Sequence, residues 1–289
     1  MENFFNKYNN DFLKEKINQK VSVIANNSHQ YASAETLKQI FSLIDLTSLN
    51  TEDNCNNISD MCNKVNNFKA KYPDMPNVAA LCIYPSMVKC VKENLSEANI
   101  NIAAVGAGFP SSQTFLEVKI AEVKQAVAMG ANEIDIVISV GELLKGNYEF
   151  VFDEIKQIKE AIGDKHLKVI LESGALISHE NIWKASILAI EAGADFIKTS
   201  TGKQQPAATL DAVYVMTKVI KDYYNRTGKK IGIKPAGGIS LPEDALSYYA
   251  IVKENLGEGW TNNKYFRIGA SRLANNLLST INNTEIKYF

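Results

Sequence analysis

The feature that most constrains this chain is a repeated exchange of two periodicities. From Leu43 onward, eight short β-rich runs occur at 43–46, 78–83, 102–105, 133–138, 167–171, 195–198, 231–234 and 266–268. Between them lie longer stretches whose apolar residues recur at helical spacing, such as 115–129 with Leu116, Ile120, Val123, Ala126 and Val127, and 212–224 with Val213, Met216, Val219 and Ile220. Strand followed by helix, eight times over, predicts a closed parallel α/β architecture, the (β/α)8 or TIM barrel. With 289 residues, 46% of them hydrophobic, the chain can bury such a core as one large domain. Residues 1–40 precede the first run and read as an N-terminal helical extension, with Phe5, Phe12, Leu13 and Ile17 on one side, expected to flank the barrel of residues 41–281. A tail at 282–289 follows, expected either to be disordered or to fold over the barrel mouth.

Composition removes several function classes. Lys+Arg 31 against Asp+Glu 32 gives a net charge of -1, and the only arginines are Arg226, Arg267 and Arg272, so nucleic acid is not an expected partner. No apolar run approaches the ~18 residues of a membrane span, and the N-terminus has neither the apolar core of a signal peptide nor the arginines of a transit peptide. The expected location is cytoplasmic. Cys55, Cys62, Cys82 and Cys90 form no C-x-x-C pair and are expected to be reduced thiols.

In a barrel of this kind chemistry resides at the C-terminal strand ends. Three polar residues occupy such ends: Asp135 in Glu133-Ile-Asp-Ile-Val-Ile138, Lys198 in Phe196-Ile-Lys198, and Lys234 in Gly232-Ile-Lys-Pro235. Alternation sets Asp135 on the opposite face from Ile134 and Ile136, and in a barrel strand that face can be the interior. Buried Asp and Lys are rare unless paired, so a purely structural ion-pair network is the plain alternative. Against it, one carboxylate cannot neutralise two ammonium groups, and desolvation with surplus positive charge pushes one lysine towards its neutral, nucleophilic amine. Such an amine forms a protonated imine with a carbonyl substrate, an electron sink that needs no metal and no cofactor. The histidines, His29, His166 and His179, are scattered and make no ligand pair at helical spacing. Beyond the strand ends, Thr199-Ser-Thr-Gly-Lys203, Ala236-Gly-Gly238 and Gly269-Ala-Ser271 are small, glycine-bearing loops where backbone N–H groups can approach an anion. Their place in the sequence predicts a phosphate pocket.

These residues carry a resemblance. FIKTSTGK (196–203), KPAGGI (234–239), Ile44-Asp-Leu-Thr47, Cys82-Ile-Tyr-Pro85, Glu133-Ile-Asp135 and Phe266-Arg-Ile-Gly-Ala-Ser271 together closely resemble the deoxyribose-phosphate aldolases, in order from about Phe41 to Ser271, and look most like the longer, eukaryotic-type branch. The resemblance implies reversible cleavage of 2-deoxy-D-ribose 5-phosphate to D-glyceraldehyde 3-phosphate and acetaldehyde, with a phosphosugar as the partner and a homo-oligomer as a possible assembly. It implies Lys198 as the Schiff-base lysine, Lys234 as its charged neighbour and proton relay, and Asp135 as the proton acceptor working with a water. It further implies Asp45 on a sugar hydroxyl, Cys82 lining the pocket near the imine, and Lys168 paired with Asp135 or the substrate. Thr201, Gly202, Lys203, Gly237, Gly238, Gly269 and Ser271 would surround the substrate, with Lys203 holding its phosphate. The alternatives are another class I barrel aldolase and a catalytically silent phosphosugar-binding barrel.

Two departures from the family pattern stand out. Ser240 and Arg272 replace an arginine and a small hydroxyl residue found in many relatives, so the cation near the phosphate is expected from a different loop. Bacterial members often end in a tyrosine thought to assist proton transfer, whereas here Tyr288 is one residue from the end.

Overall fold

In the computed structural model, which describes residues 2–289, the eight strands are β1 (Ile44–Thr47), β2 (Ala80–Ile83), β3 (Asn101–Gly106), β4 (Glu133–Val137), β5 (His166–Ile170), β6 (Phe196–Lys198), β7 (Gly232–Lys234) and β8 (Ile268–Ala270). All pairings are parallel, in the order β7-β6-β5-β4-β3-β2-β1-β8. Bridges from Ile233 to Phe266 and from Ala236 to Gly269 complete the ring between β7 and β8. Each strand is followed by helix, as at Leu116–Ala128 and Leu210–Thr227. The second of these begins where the Thr209 side chain accepts the Ala212 N–H, a serviceable N-cap.

Alternation along each strand divides its side chains between two environments. Outward-facing Leu46, Leu81, Ile83, Ile134, Ile136, Leu167, Val169, Ile197, Ile233 and Ile268 are buried under the helices in the main apolar core. Each such residue contributes about 1.5–3 kcal/mol by leaving water. Inward-facing Ala80, Cys82, Ala103 and Val105, from β2 and β3, form a small separate cluster with Leu49. Small residues on that side leave room for long polar chains from the other strands. Gly232 serves the same end on β7: it pairs with Phe196, and a Cβ there would lie 2.3 Å from the Phe196 ring.

The segment before β1 runs along the outer helices. Ile17 and Val21 are buried, the Tyr8 hydroxyl donates to Glu191 at 2.9 Å, and the Phe5 ring meets Tyr148 and Trp183. At the other end the tail is ordered: Phe289 lines a cavity beside the mouth with Thr47, Asn50, Ser271 and Arg272, while the Tyr288 hydroxyl goes to the Lys64 carbonyl and not to the mouth. The Tyr288 and Phe289 rings pack on Phe68, and Asn275 donates to the Phe289 carbonyl at 2.9 Å. Apolar aromatic surface at the last two residues, received by Phe41, Phe68 and Tyr72, anchors the chain end beside the mouth.

The cysteine expectation is also corrected: Cys55 and Cys90 are joined as a disulfide, leaving Cys62 and Cys82 free and buried. The partners lie 35 residues apart, in helices Cys55–Asn66 and Val88–Asn94, and only the packing of these two helices brings them together.

Replacing Gly232 by valine forces the Phe196 ring to move within a closed barrel. Overpacking of this kind is expected to cost at least about 1–3 kcal/mol, read as a lower urea midpoint at unchanged slope. An unchanged midpoint would contradict the packing described.

Candidate active site

The inward faces of β1, β4, β5, β6, β7 and the residue before β8 bring seven ionisable side chains into one buried cluster. Asp135 is its hub: Lys168 donates to Oδ1 at 2.9 Å, while Lys198 and Lys234 both donate to Oδ2 at 2.8 Å. Lys234 also reaches Asp45 Oδ2 at 2.5 Å, and Lys168 reaches Glu133 Oε2 at 2.6 Å. Arg267 closes the other side, donating to Asp45 Oδ1 at 2.7 Å and to Glu133 Oε1 at 2.9 Å. Every member is at most 3% exposed.

The expectation of one carboxylate against two lysines is therefore corrected. Three carboxylates, Asp45, Glu133 and Asp135, face four cations, Lys168, Lys198, Lys234 and Arg267. One positive charge remains in excess. Burial pushes the Asp135 carboxyl up, but Lys168, Lys198 and Lys234 outweigh it and hold the group well below the usual carboxylate range. Asp45 is also held low: burial opposes this, and Lys234 and Arg267 prevail. Burial likewise works to strip the Lys234 ammonium, yet Asp135 and Asp45 hold its pKa well above the ordinary lysine value.

The three lysines are not equivalent. Lys168 and Lys234 are fully buried, and each contacts more than one carboxylate. Lys198 contacts Asp135 alone and, unlike the other two, lines a cavity of about 220 Å³ at the C-terminal mouth. Cys82 lies below, 4.0 Å from Lys234 Nζ. Its burial raises the thiol pKa, and Lys234 only partly offsets this, so the lysine pair does not make a ready thiolate of Cys82.

The cavity rim comprises the loops after β6, β7 and β8, with Gly202, Lys203, Gly237, Gly238, Gly269 and Ser271 all in its wall. Among the described residues, the N–H groups of Gly202, Gly237 and Gly238 have no protein acceptor, which leaves three donors for an anion. Gly237 is in the left-handed region at φ +88, and a Cβ there would lie 2.7 Å from Ala207, so only glycine lets the two loops approach. Gly269 differs: its N–H goes to the Pro235 carbonyl at 2.9 Å. Thr201 also lines the cavity, but its N–H and hydroxyl are both taken by Glu172. Lys203 Nζ crosses to the Leu49 carbonyl at 2.5 Å, so loops from opposite sides of the mouth meet through it. Arg272 lines the same wall, as does Ser240.

Tyr288 does not join this group. Its hydroxyl donates to the Lys64 carbonyl at 2.7 Å, and it is absent from the cavity wall. Three residues escaped the sequence reading: Glu133, Arg267 and Glu172. The alternation that turns Asp135 inward also turns Glu133, two positions earlier, and Arg267 stands two before the cavity residue Gly269. For Glu172, just beyond β5, no pattern in the sequence marks a role.

A parallel barrel that opens one lysine of a buried charged cluster onto a rim of unpaired backbone N–H groups has the layout of a barrel aldolase, a carbon–carbon lyase. The chain belongs to the DeoC/LacD family aldolases, matching that family over residues 39–254. It is 42% identical over 263 residues to the deoxyribose-phosphate aldolase of Homo sapiens, covering 86% of this chain and 81% of that one. With the Mus musculus enzyme of the same name it shares 40% over 263 residues, again 86% and 81%. Among solved structures it is similar to the aldolase QR15, with TM-score 0.68 and 27% identity over 84% of this chain and 96% of that one. The tetrameric deoxyribose phosphate aldolase from Aeropyrum pernix shares the fold, with TM-score 0.68 and 21% identity over 89% and 96%.

Removing the hub carboxylate as Asp135→Asn leaves three lysines facing one another and is expected to cost about 3–5 kcal/mol. Because the folded Asp135 pKa is depressed, its stabilisation is complete above the unfolded value of about 3.9 and is lost as pH falls towards the folded one. Chemical denaturation from pH 7 to pH 3 is expected to show a steeper loss below about pH 4 in the parent than in Asp135→Asn. Parallel curves would show that Asp135 is not the titrating hub.

Proposed function

We propose that this chain is a deoxyribose-phosphate aldolase, cleaving 2-deoxy-D-ribose 5-phosphate reversibly to D-glyceraldehyde 3-phosphate and acetaldehyde through an imine on Lys198. The observation that carries this reading is the position of Lys198, alone among the clustered lysines on the cavity wall and five residues before the rim cation Lys203. Losing a proton from Lys198 gives up the fewest carboxylate contacts and leaves three cations against three carboxylates.

The neutral amine attacks C1 of the open-chain sugar, and loss of water from the carbinolamine gives the protonated imine. As the C2–C3 bond breaks, its electron pair moves into the enamine and the C3 hydroxyl proton passes to a base, releasing glyceraldehyde 3-phosphate. Asp135 with a water is that base in this reading, and Lys234 relays protons beside it. Protonation of the enamine carbon and hydrolysis of the imine then free acetaldehyde and Lys198. Cys82 borders the imine and Lys168 anchors Asp135; Asp45, expected on a sugar hydroxyl, is instead fully buried behind the cavity wall and engaged by Lys234 and Arg267, so its part is to hold Lys234 in place. Gly202, Lys203, Gly237, Gly238, Ser240 and Ser271 receive the phosphate, with Arg272 as a second cation on the rim.

This reading needs no metal, since each carboxylate of the cluster is already engaged by lysine or arginine. It includes residues 1–40 as an extension flanking the barrel. A homo-oligomer is supported by the Aeropyrum pernix tetramer and by exposed Phe115 and Val118, three residues apart on one surface. A cytoplasmic location also belongs to it.

Acetaldehyde with borohydride is expected to fix one two-carbon unit on Lys198, identified by peptide mass spectrometry, and Lys198→Arg to lose both the adduct and turnover. An adduct on Lys234 would reverse the assignment. Lys203→Ala is expected to raise KM at least about tenfold for deoxyribose 5-phosphate and little for deoxyribose, as removal of a phosphate contact requires. Equal harm to both substrates would take Lys203 out of the phosphate site.

A further inference from the structure

Glu172 is a carboxylate with no cation beside it in a place that should repel one. It is 4% exposed and makes no salt bridge among the described residues, yet it stands behind the anion-binding rim. Its backbone is left-handed, at φ 53 and ψ 55, a conformation disfavoured for a residue with a Cβ. Strain and a buried anion together call for a compensating role.

The hydrogen bonds supply one. Glu172 Oε1 accepts the Thr201 N–H at 3.1 Å, and Oε2 accepts the Thr201 hydroxyl at 2.6 Å. Thr201 Oγ1, oriented by that donation, accepts the Lys203 N–H at 3.0 Å. The backbone of the next residue adds a tie from the same loop, Ser173 N–H to the Thr199 carbonyl at 2.9 Å. Thus the chain 199–203, which joins the Lys198 amine to the Lys203 ammonium, is held from behind by the end of β5. With Thr201 spoken for, the unused Gly202 N–H is left to the cavity. Acceptance at both carboxylate oxygens lets Glu172 meet the two Thr201 donors at once.

We infer that Glu172 is a positioning residue for phosphate recognition, acting through Thr201 on Gly202 and Lys203 without touching the substrate. The inference rests on the phosphate site proposed above. A glutamine at 172 must present an NH₂ to one of two donors, which turns the Thr201 hydroxyl and loosens the Lys203 N–H.

The test compares kcat and KM on deoxyribose 5-phosphate and on deoxyribose for Glu172→Gln, Lys203→Ala and the double variant. Glu172→Gln is expected to raise KM for the phosphate ester about tenfold, with kcat and the deoxyribose reaction much less affected and borohydride trapping at Lys198 retained. In the double variant its effect on the phosphate ester should be smaller than in the parent background, because the Lys203 ammonium it positions is already gone while the Gly202 N–H remains. If Glu172→Gln fails to fold, Thr201→Val removes only the hydroxyl link and carries the same expectation. A selective defect in Lys203→Ala beside equal damage to both substrates in Glu172→Gln or Thr201→Val overturns the inference alone, as does full multiplicativity in the double variant. Equal damage in Lys203→Ala removes the phosphate site itself, and the inference with it.

Discussion

The Asp135 carboxylate is the interaction on which the rest depends. Its two oxygens hold three ammonium groups, from β5, β6 and β7, so a single side chain on β4 ties four neighbouring strands across the barrel interior. Asp45 and Glu133 extend the network through Arg267 to β1 and the approach to β8. A buried charge without partners is untenable, so these side chains hold one another in place. Lys198 is thereby oriented as firmly as a core residue while its amine still reaches the cavity. Placement of the amine proposed as nucleophile and integrity of the barrel are consequently one property here.

Division of labour follows from depth. The floor is ionic on one side and small and apolar on the other, where Ala80, Cys82, Ala103 and Val105 cluster with Leu49. The rim is backbone: unpaired N–H groups at glycines, with Lys203 and Arg272 as the cations. A substrate with a carbonyl at one end and a phosphate at the other fits that vertical order. The five-residue link from Lys198 to Lys203 sets the distance between the two tasks, which is why its conformation, held by Glu172, matters for recognition.

Much of this was legible from residue order. Alternating periodicities located all eight strands, because outward Ile, Leu and Val had to meet helices, and the polar interruptions at Asp135, Lys198 and Lys234 marked the interior. Glu133 and Arg267 were harder to see, since both sit at strand starts, where a charged residue usually faces solvent. The charge balance of the cluster depended on them and was misjudged accordingly. Cys55 and Cys90 met through packing between helices of separate βα units, and Tyr288 found a carbonyl on Lys64, neither of which leaves a local signal. Glu172 is similar: its bonds go to Thr201, in the loop after the next strand.

The unequal charge count bears on the chemistry proposed here. A barrel interior filled with apolar residues of like volume would be as stable or more so, so four cations against three carboxylates serve some end other than stability. When Lys198 is an ammonium or a protonated imine, the cluster carries one positive charge beyond balance in a buried site. When it is an amine or an enamine, the charges match. The low-dielectric surroundings therefore raise the iminium relative to the enamine, and it is the iminium that must accept the electron pair of the breaking C2–C3 bond. A fourth carboxylate would make a calmer core and a poorer electron sink. Asp135, held ionised by three lysines, leaves the remaining imbalance to the one lysine of the cluster that lines the cavity.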